Sequence, residues 1–165
     1  MQNATNARNF AGLNFDEQAI AQGIEYAHSR GRKVLVALNT YPQAASPQLW
    51  QVAIDRAASA GVDAVILADP GLMAYAAKHQ PQLRLHLSVQ GSATNYEAIN
   101  FYHQHFGIQR AVLPRVLSIA QVEHVLEKTL VEIEVFGFGS LCVMVEGRCA
   151  LSSYATGEAP NTNGV

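Results

Sequence analysis

Short apolar runs recur along the chain and alternate with longer stretches whose apolar positions fall on one helical face. Lys33 to Leu38, Asp63 to Ala68, Leu83 to Val89, Arg110 to Leu113 and Val131 to Val135 read as strands. Between them the spacing predicts helices over 16–30, 47–60, 70–78, 95–106 and 118–128. Local punctuation agrees with this reading. Asn14 followed by Glu17 three positions later has the form of a capping box, and Ser46-Pro47 is a cap followed by a first-turn proline. Gly61 suits a helix C-terminus, and Asp69 and Ser118 suit helix N-caps. Strand and helix in strict alternation predict an α/β fold with a parallel sheet.

Two architectures share that rhythm. A doubly wound dinucleotide-binding sheet needs a glycine-rich first turn, yet the loops after the strands are Asn39-Thr-Tyr-Pro, Asp69-Pro-Gly, Gln90-Gly-Ser and Pro114-Arg-Val. None is G-x-G-x-x-G, so the expected fold is part of a (β/α)8 TIM-like barrel, about five βα units of parallel sheet. A whole barrel takes about 250 residues and eight strands. Residues 1–165 are therefore expected to form a single incomplete barrel domain, an internal piece of a longer protein.

Composition narrows the class further. With 165 residues, 49% of them hydrophobic and 15% charged, there is ample material for one core. The net charge of -2 and scattered Lys and Arg give no basic stripe, so a nucleic-acid partner is not expected. No apolar run approaches the roughly 20 residues that span a bilayer, and Met1-Gln-Asn-Ala-Thr-Asn has no signal-peptide character, which makes the cytoplasm the expected compartment. A reducing compartment disfavours a disulfide between Cys142 and Cys149, leaving free, metal-bound or redox roles for them.

In a barrel the residues just past the strand C-termini line the working face. They are Asn39, Asp69, Gln90 and Arg115, joined by the stretch from Gly137 to Cys142. Asp69 and Ser118 fit capping better than chemistry, and Asn39 and Gln90 can serve loop backbone or a ligand equally well. Arg115 has the most site-like setting, because a guanidinium after a buried strand and a proline can present a fixed fork to an anion. His86 shares strand parity with Ser88 and Gln90 and so is expected to face the barrel interior, a structural histidine before a catalytic one. Histidines 103 and 105 fall on different helix faces, no H-E-x-x-H or G-x-S-x-G occurs, and Tyr96, Phe101, Tyr102 and Phe106 read as a packing face. No catalytic residue is assigned.

The densest segment is 134–152, with Glu134-x-Phe136-x-x-Gly139-Ser140-Leu141-Cys142, then Gly147-x-Cys149-x-Leu151-Ser152. This order resembles the signature of the U32 family, the peptidase or collagenase-like group. Residues 3–15, Leu87-Ser-Val-Gln-Gly-Ser-Ala-Thr-Asn95, Val112 to Ser118 and Ser152 to Asn161 look like its UbiU branch. The resemblance implies a component of an iron-sulfur dependent, oxygen-independent hydroxylase of ubiquinone biosynthesis, paired as a heterodimer with a UbiV-like homologous subunit and acting on a small quinone precursor. It also implies a 4Fe-4S cluster, with Cys142 and Cys149 matching the first two ligands. The other two cysteines of the set are absent from these residues, so the chain alone is expected to be largely cluster-free and inactive. Asn39, Gln90, Arg115 and Glu134 are the expected substrate-binding residues. The alternatives are a U32-type peptidase and a non-catalytic scaffold that binds a partner through its sheet edges.

Overall fold

The computed structural model describes residues 15–139 and 150–157. Five strands, β1 (Leu35–Leu38), β2 (Ala64–Leu67), β3 (Leu85–Leu87), β4 (Arg110–Val112) and β5 (Glu132–Glu134), form one sheet in the order β1-β2-β3-β4-β5, every neighbouring pair parallel. The helices α1 (Glu17–His28), α2 (Gln48–Ser59), α3 (Pro70–His79), α4 (Tyr96–Phe106) and α5 (Ile119–Lys128) alternate with them, and a short α6 (Ala150–Thr156) follows. Strand order that never reverses has no topological switch point, which excludes the doubly wound sheet. Right-handed crossovers in such a series put every helix on one side of the sheet, as in a (β/α)8 barrel.

Strand parity then divides the chemistry. Val36, Leu38, Val65, Leu67, Leu85, Leu87, Ala111 and Ile133 fall on the helix-covered side and belong to one apolar cluster with Ile24, Trp50, Ile54, Leu72, Met73, Ile99 and Val125. Their alternates project from the other face. Pairing register strings five of these into a row across the whole sheet: Ala37, Ile66, His86, Arg110 and Glu132. The row is apolar over β1 and β2 and polar over β3 to β5.

Helix N-termini follow the expected capping at Asp69 and Ser118, gain a cap at Asn95, and depart from expectation at two places. The side chains of Asp69, Asn95 and Ser118 accept the backbone N–H of Leu72, Ala98 and Gln121, and the Gln121 side chain answers at the N–H of Ser118 to complete a capping box. The first helix is capped by Asp16, whose carboxylate accepts the Ala19 N–H, and not by Asn14, which lies outside the described residues. At the second, Ser46 makes no cap; Pro47 takes the N-cap position, its fixed φ already helical and its carbonyl accepting from Trp50 and Gln51. Strands are shorter than their apolar runs because pairing stops before the hydrophobic pattern does. After β3 the expected strand instead turns through a 3-10 segment, Val89–Gly91, with the Ser88 hydroxyl accepting the Gln90 N–H. A Cβ at Gly91 would stand 2.8 Å from Leu87 Cδ1, so any larger residue there must push that side chain aside.

Helix α4 splits its aromatics. Tyr102 and Phe106 pack on the core, whereas Phe101 is exposed and stacks with His105, and Tyr96 meets His124 edge-on. His103 donates from Nδ1 to the Ile108 carbonyl at 2.7 Å.

The two-faced sheet predicts unequal costs for neighbouring truncations. Leu87→Ala, which empties a fully buried site on the helix side, should lower unfolding free energy by about 3 kcal/mol in a urea titration. Ile66→Ala, half-buried on the other face, should cost about 1 kcal/mol by the same measurement.

Candidate functional site

On the face away from the helices, Arg84, Arg110, Glu132 and Glu134 form an alternating chain of charge that crosses three strands. Arg84 Nη2 lies 3.1 Å from Glu132 Oε2; Arg110 grips the same oxygen through Nε at 3.0 Å and Nη2 at 2.8 Å, and reaches Glu134 Oε2 through Nη1 at 3.2 Å. Arg110 is thus the pivot. It sits there because β4 begins at residue 110, opposite Glu132 of β5 and His86 of β3. The Arg110 hydrogen bonds hold the Glu132 carboxyl below its usual range with help from Arg84, and Glu132 in turn raises the Arg110 guanidinium. All four side chains keep contact with solvent, at 31 to 53% exposure, so water screens each pair and the chain fixes geometry more than stability.

His86 lies within this frame and is only 3% exposed. Neither ring nitrogen has a hydrogen-bond partner among the described residues, and the same holds for Arg84 Nε. Burial, then the Arg110 and Arg84 charges, push the imidazole down to about 4, so it is neutral at pH 7. Ser88, also buried, is the next residue up the same strand face. Because the imidazole makes no hydrogen bond, the two do not form a nucleophile–base pair.

The strand C-termini carry the remaining expected residues in two separate groups. In the first, the Tyr41 hydroxyl, two residues past Asn39, donates to the Gln90 carbonyl at 2.7 Å, joining the loops after β1 and β3. Gln90 Oε1 is buried with no partner among the described residues, so this end of β3 presents an unused acceptor. Thr40, fully buried, accepts from Trp50 Nε1 and anchors the first loop. In the second group Arg115 lies flat on Phe136, its guanidinium carbon 3.6 Å from the ring centroid. This pair borders a cleft of about 470 Å³ walled by Leu113, Ile119, Val122, Val135 and Phe138. The cleft is apolar because α5 turns Ile119 and Leu126 away from the core here.

Of the expected substrate residues, then, Gln90 lies against the loop that carries Asn39, Arg115 pairs with Phe136, and Glu134 pairs with Arg110. The structure does not gather them into one pocket. Cys142 and Cys149 lie outside the described residues. Among the described residues no group of three or more His, Cys, Asp or Glu side chains could hold a metal, and no helix is long and apolar enough to cross a membrane. Sequence reasoning missed Arg84, Arg110 and Glu132. The signal was present in the alternations Arg84-x-His86-x-Ser88 and Glu132-x-Glu134, which mark polar residues on one side of buried strands.

Comparison with known proteins agrees with this architecture. The model of peptidase family U32 matches residues 2–164. The chain is 35% identical over 148 residues to the tRNA hydroxylation protein P of Escherichia coli, covering 89% of this chain and 32% of that protein. It is 38% identical over 153 residues to the uncharacterized protease MJ0090 of Methanocaldococcus jannaschii, covering 90% and 37%. The chain thus spans about a third of the length of these relatives. Among solved structures, the U32 peptidase Mk0906 superposes with a TM-score of 0.66 at 17% identity, over 82% of this chain and 57% of that one, which is a likeness of fold.

The buried imidazole gives a pH test. Its folded pKa of about 4 lies below the unfolded value of 6.5, so the stability linked to it is complete above pH 6.5 and is lost as pH falls towards 4. The full span is about 3 kcal/mol. Thermal melts at pH 7 and pH 4.5 should show a large acid loss in the native sequence and a smaller one in His86→Leu, which has no proton to take up.

Proposed function

The chain belongs to peptidase family U32, and on that footing we propose that it acts in the hydroxylation of RNA, as a component of a hydroxylase and not of a peptidase. The observation that carries this reading is its similarity, over about nine-tenths of its length, to proteins named for tRNA hydroxylation in Escherichia coli, Haemophilus influenzae, Helicobacter pylori and Bacillus subtilis. A further relative is named a 23S rRNA 5-hydroxycytidine synthase. The buried His86 and Ser88 are not hydrogen-bonded to each other among the described residues, the Ser88 hydroxyl accepting instead from the Gln90 N–H, so this pair is not an activated nucleophile.

In this reading Asn39 and Gln90 at the ends of β1 and β3, Arg115 beside Phe136, and Glu134 held by Arg110 contact the substrate. The unpartnered side-chain oxygen Gln90 Oε1 suits a base N–H, and the Arg115–Phe136 pair suits a planar ring. Cys142 and Cys149 would give two thiolates to a 4Fe-4S cluster, which supplies redox chemistry when bound. Both cysteines lie outside the described residues.

A second reading, hydroxylation of a quinone precursor together with a UbiV-like subunit in the cytoplasm, is favoured by the segments 87–95 and 112–118, which look like the UbiU branch. The two readings separate in cells. Nucleoside mass spectrometry of tRNA should show a nucleoside carrying one extra oxygen that disappears when the gene is deleted and stays absent with Cys142→Ala or Arg110→Gln. Unchanged tRNA with an altered quinone pool would instead select the second reading. In the longer protein to which these residues are expected to belong, purified anaerobically, iron content and the visible spectrum should fall together in Cys142→Ala and Cys149→Ala; iron retained in both would remove these thiols from any ligand set.

A further inference from the structure

The polar row beneath the Arg110 pivot has one member that the ion pairs leave unused. Buried polar side chains almost always have partners, and one that lacks them points to a group missing from its surroundings. His86 is 3% exposed with both ring nitrogens unpartnered, and Arg84 Nε, two residues away on the same strand face, is unpartnered too. The chemistry of the missing group follows from charge. Two guanidinium groups, Arg84 and Arg110, are already matched by two carboxylates, Glu132 and Glu134. An anion would have to break those pairs, and a cation would meet two arginines. A neutral imidazole offers one donor and one acceptor, and Arg84 Nε–H adds a second donor. A neutral group such as an amide, carbonyl or hydroxyl satisfies them with every ion pair kept.

We infer that His86 is the floor of a gated subsite for a neutral hydrogen-bonding group of a ligand, with the Arg110–Glu134 pair as its gate. The gate is placed there by the geometry of the chain. Arg110 holds Glu132 through two hydrogen bonds, at 2.8 and 3.0 Å, but Glu134 through one at 3.2 Å, and the Glu134 side chain is 47% exposed. Glu134 therefore swings away at least cost, while Glu132 keeps Arg110 on the row. Ile66 and Arg110 flank the imidazole on the neighbouring strands, and Ser88 stands above it. The imidazole thus has an apolar neighbour on one strand and a cationic one on the other, a setting suited to a planar amide edge. The inference stands apart from the RNA reading; if that reading holds, a pyrimidine edge is the group that enters.

The test is the rate at which diethyl pyrocarbonate acylates each histidine at pH 7, read by peptide mass spectrometry, with exposed His79 and His105 as internal standards. His86 should react far more slowly than these in the native protein. Glu134→Gln, which keeps size and removes the ion pair, should raise the His86 rate about fivefold, the usual effect of losing a half-exposed pair, and leave the standards unchanged. Saturating N-methylacetamide should return the His86 rate to its native value. Protection by uridine as well would join the subsite to the RNA reading; protection by N-methylacetamide alone would keep the subsite and remove the base as its ligand. A His86 rate indifferent to Glu134→Gln, or an acceleration that N-methylacetamide leaves in place, would overturn the inference.

Discussion

The structure depends on the side-chain alternation of five parallel strands held in one register. Because successive residues of a strand point to opposite faces, a single register assigns Val36, Val65 and Leu85 to the helices and, one residue on, Ala37, Ile66 and His86 to the open side. A slip of one residue in β4 would bury Arg110 in the apolar core and expose Ala111, at a cost that no surface ion pair could offset. Register therefore fixes the core and the polar row together. The ion-pair chain from Arg84 to Glu134 then ties β3, β4 and β5 through their side chains, at the strands where the sheet has fewest apolar contacts on its open face.

Much of this was legible in the sequence because it rests on local rules. Asp69 and Ser118 act as caps, and the five strands fall inside the five apolar runs. The barrel-like order follows from loops that lack a dinucleotide glycine pattern. Misses came where two local signals competed. Asn14 and Asp16 both suit a cap, and the residue whose carboxylate reaches the third N–H won; Ser46 lost to Pro47, whose ring already sets the helical φ. The site was legible only in pieces. Gln90, Arg115 and Glu134 could be named as strand-end or signature residues, but their partners Tyr41, Phe136 and Arg110 are 49, 21 and 24 positions away and become neighbours only through register and loop packing. Arg84 and Arg110 escaped notice because each opens a strand and reads there as a solvated edge charge.

Net charge leaves the proposed RNA reading open for a related physical reason. A net charge of -2 argues against nonspecific attraction to phosphate, yet it says nothing about a site that reads bases by stacking and hydrogen bonding inside a cleft. The relatives named for tRNA hydroxylation fit a fold of this kind, in which specificity would come from strand-end loops such as those bearing Tyr41, Gln90 and Arg115 and not from a basic stripe. The open sheet face adds a second resource, a neutral histidine kept unprotonated by burial and by two guanidinium groups.

Photocrosslinking of tRNA bearing 4-thiouridine to the protein, with the linked peptides identified by mass spectrometry, shows whether RNA meets the strand ends. Crosslinks are expected in residues 39–41, 88–92, 113–117 and 134–139, the strand ends and the edge of the open face. Crosslinks confined to the outer surfaces of α1 to α5, or none above a DNA control, would contradict this expectation.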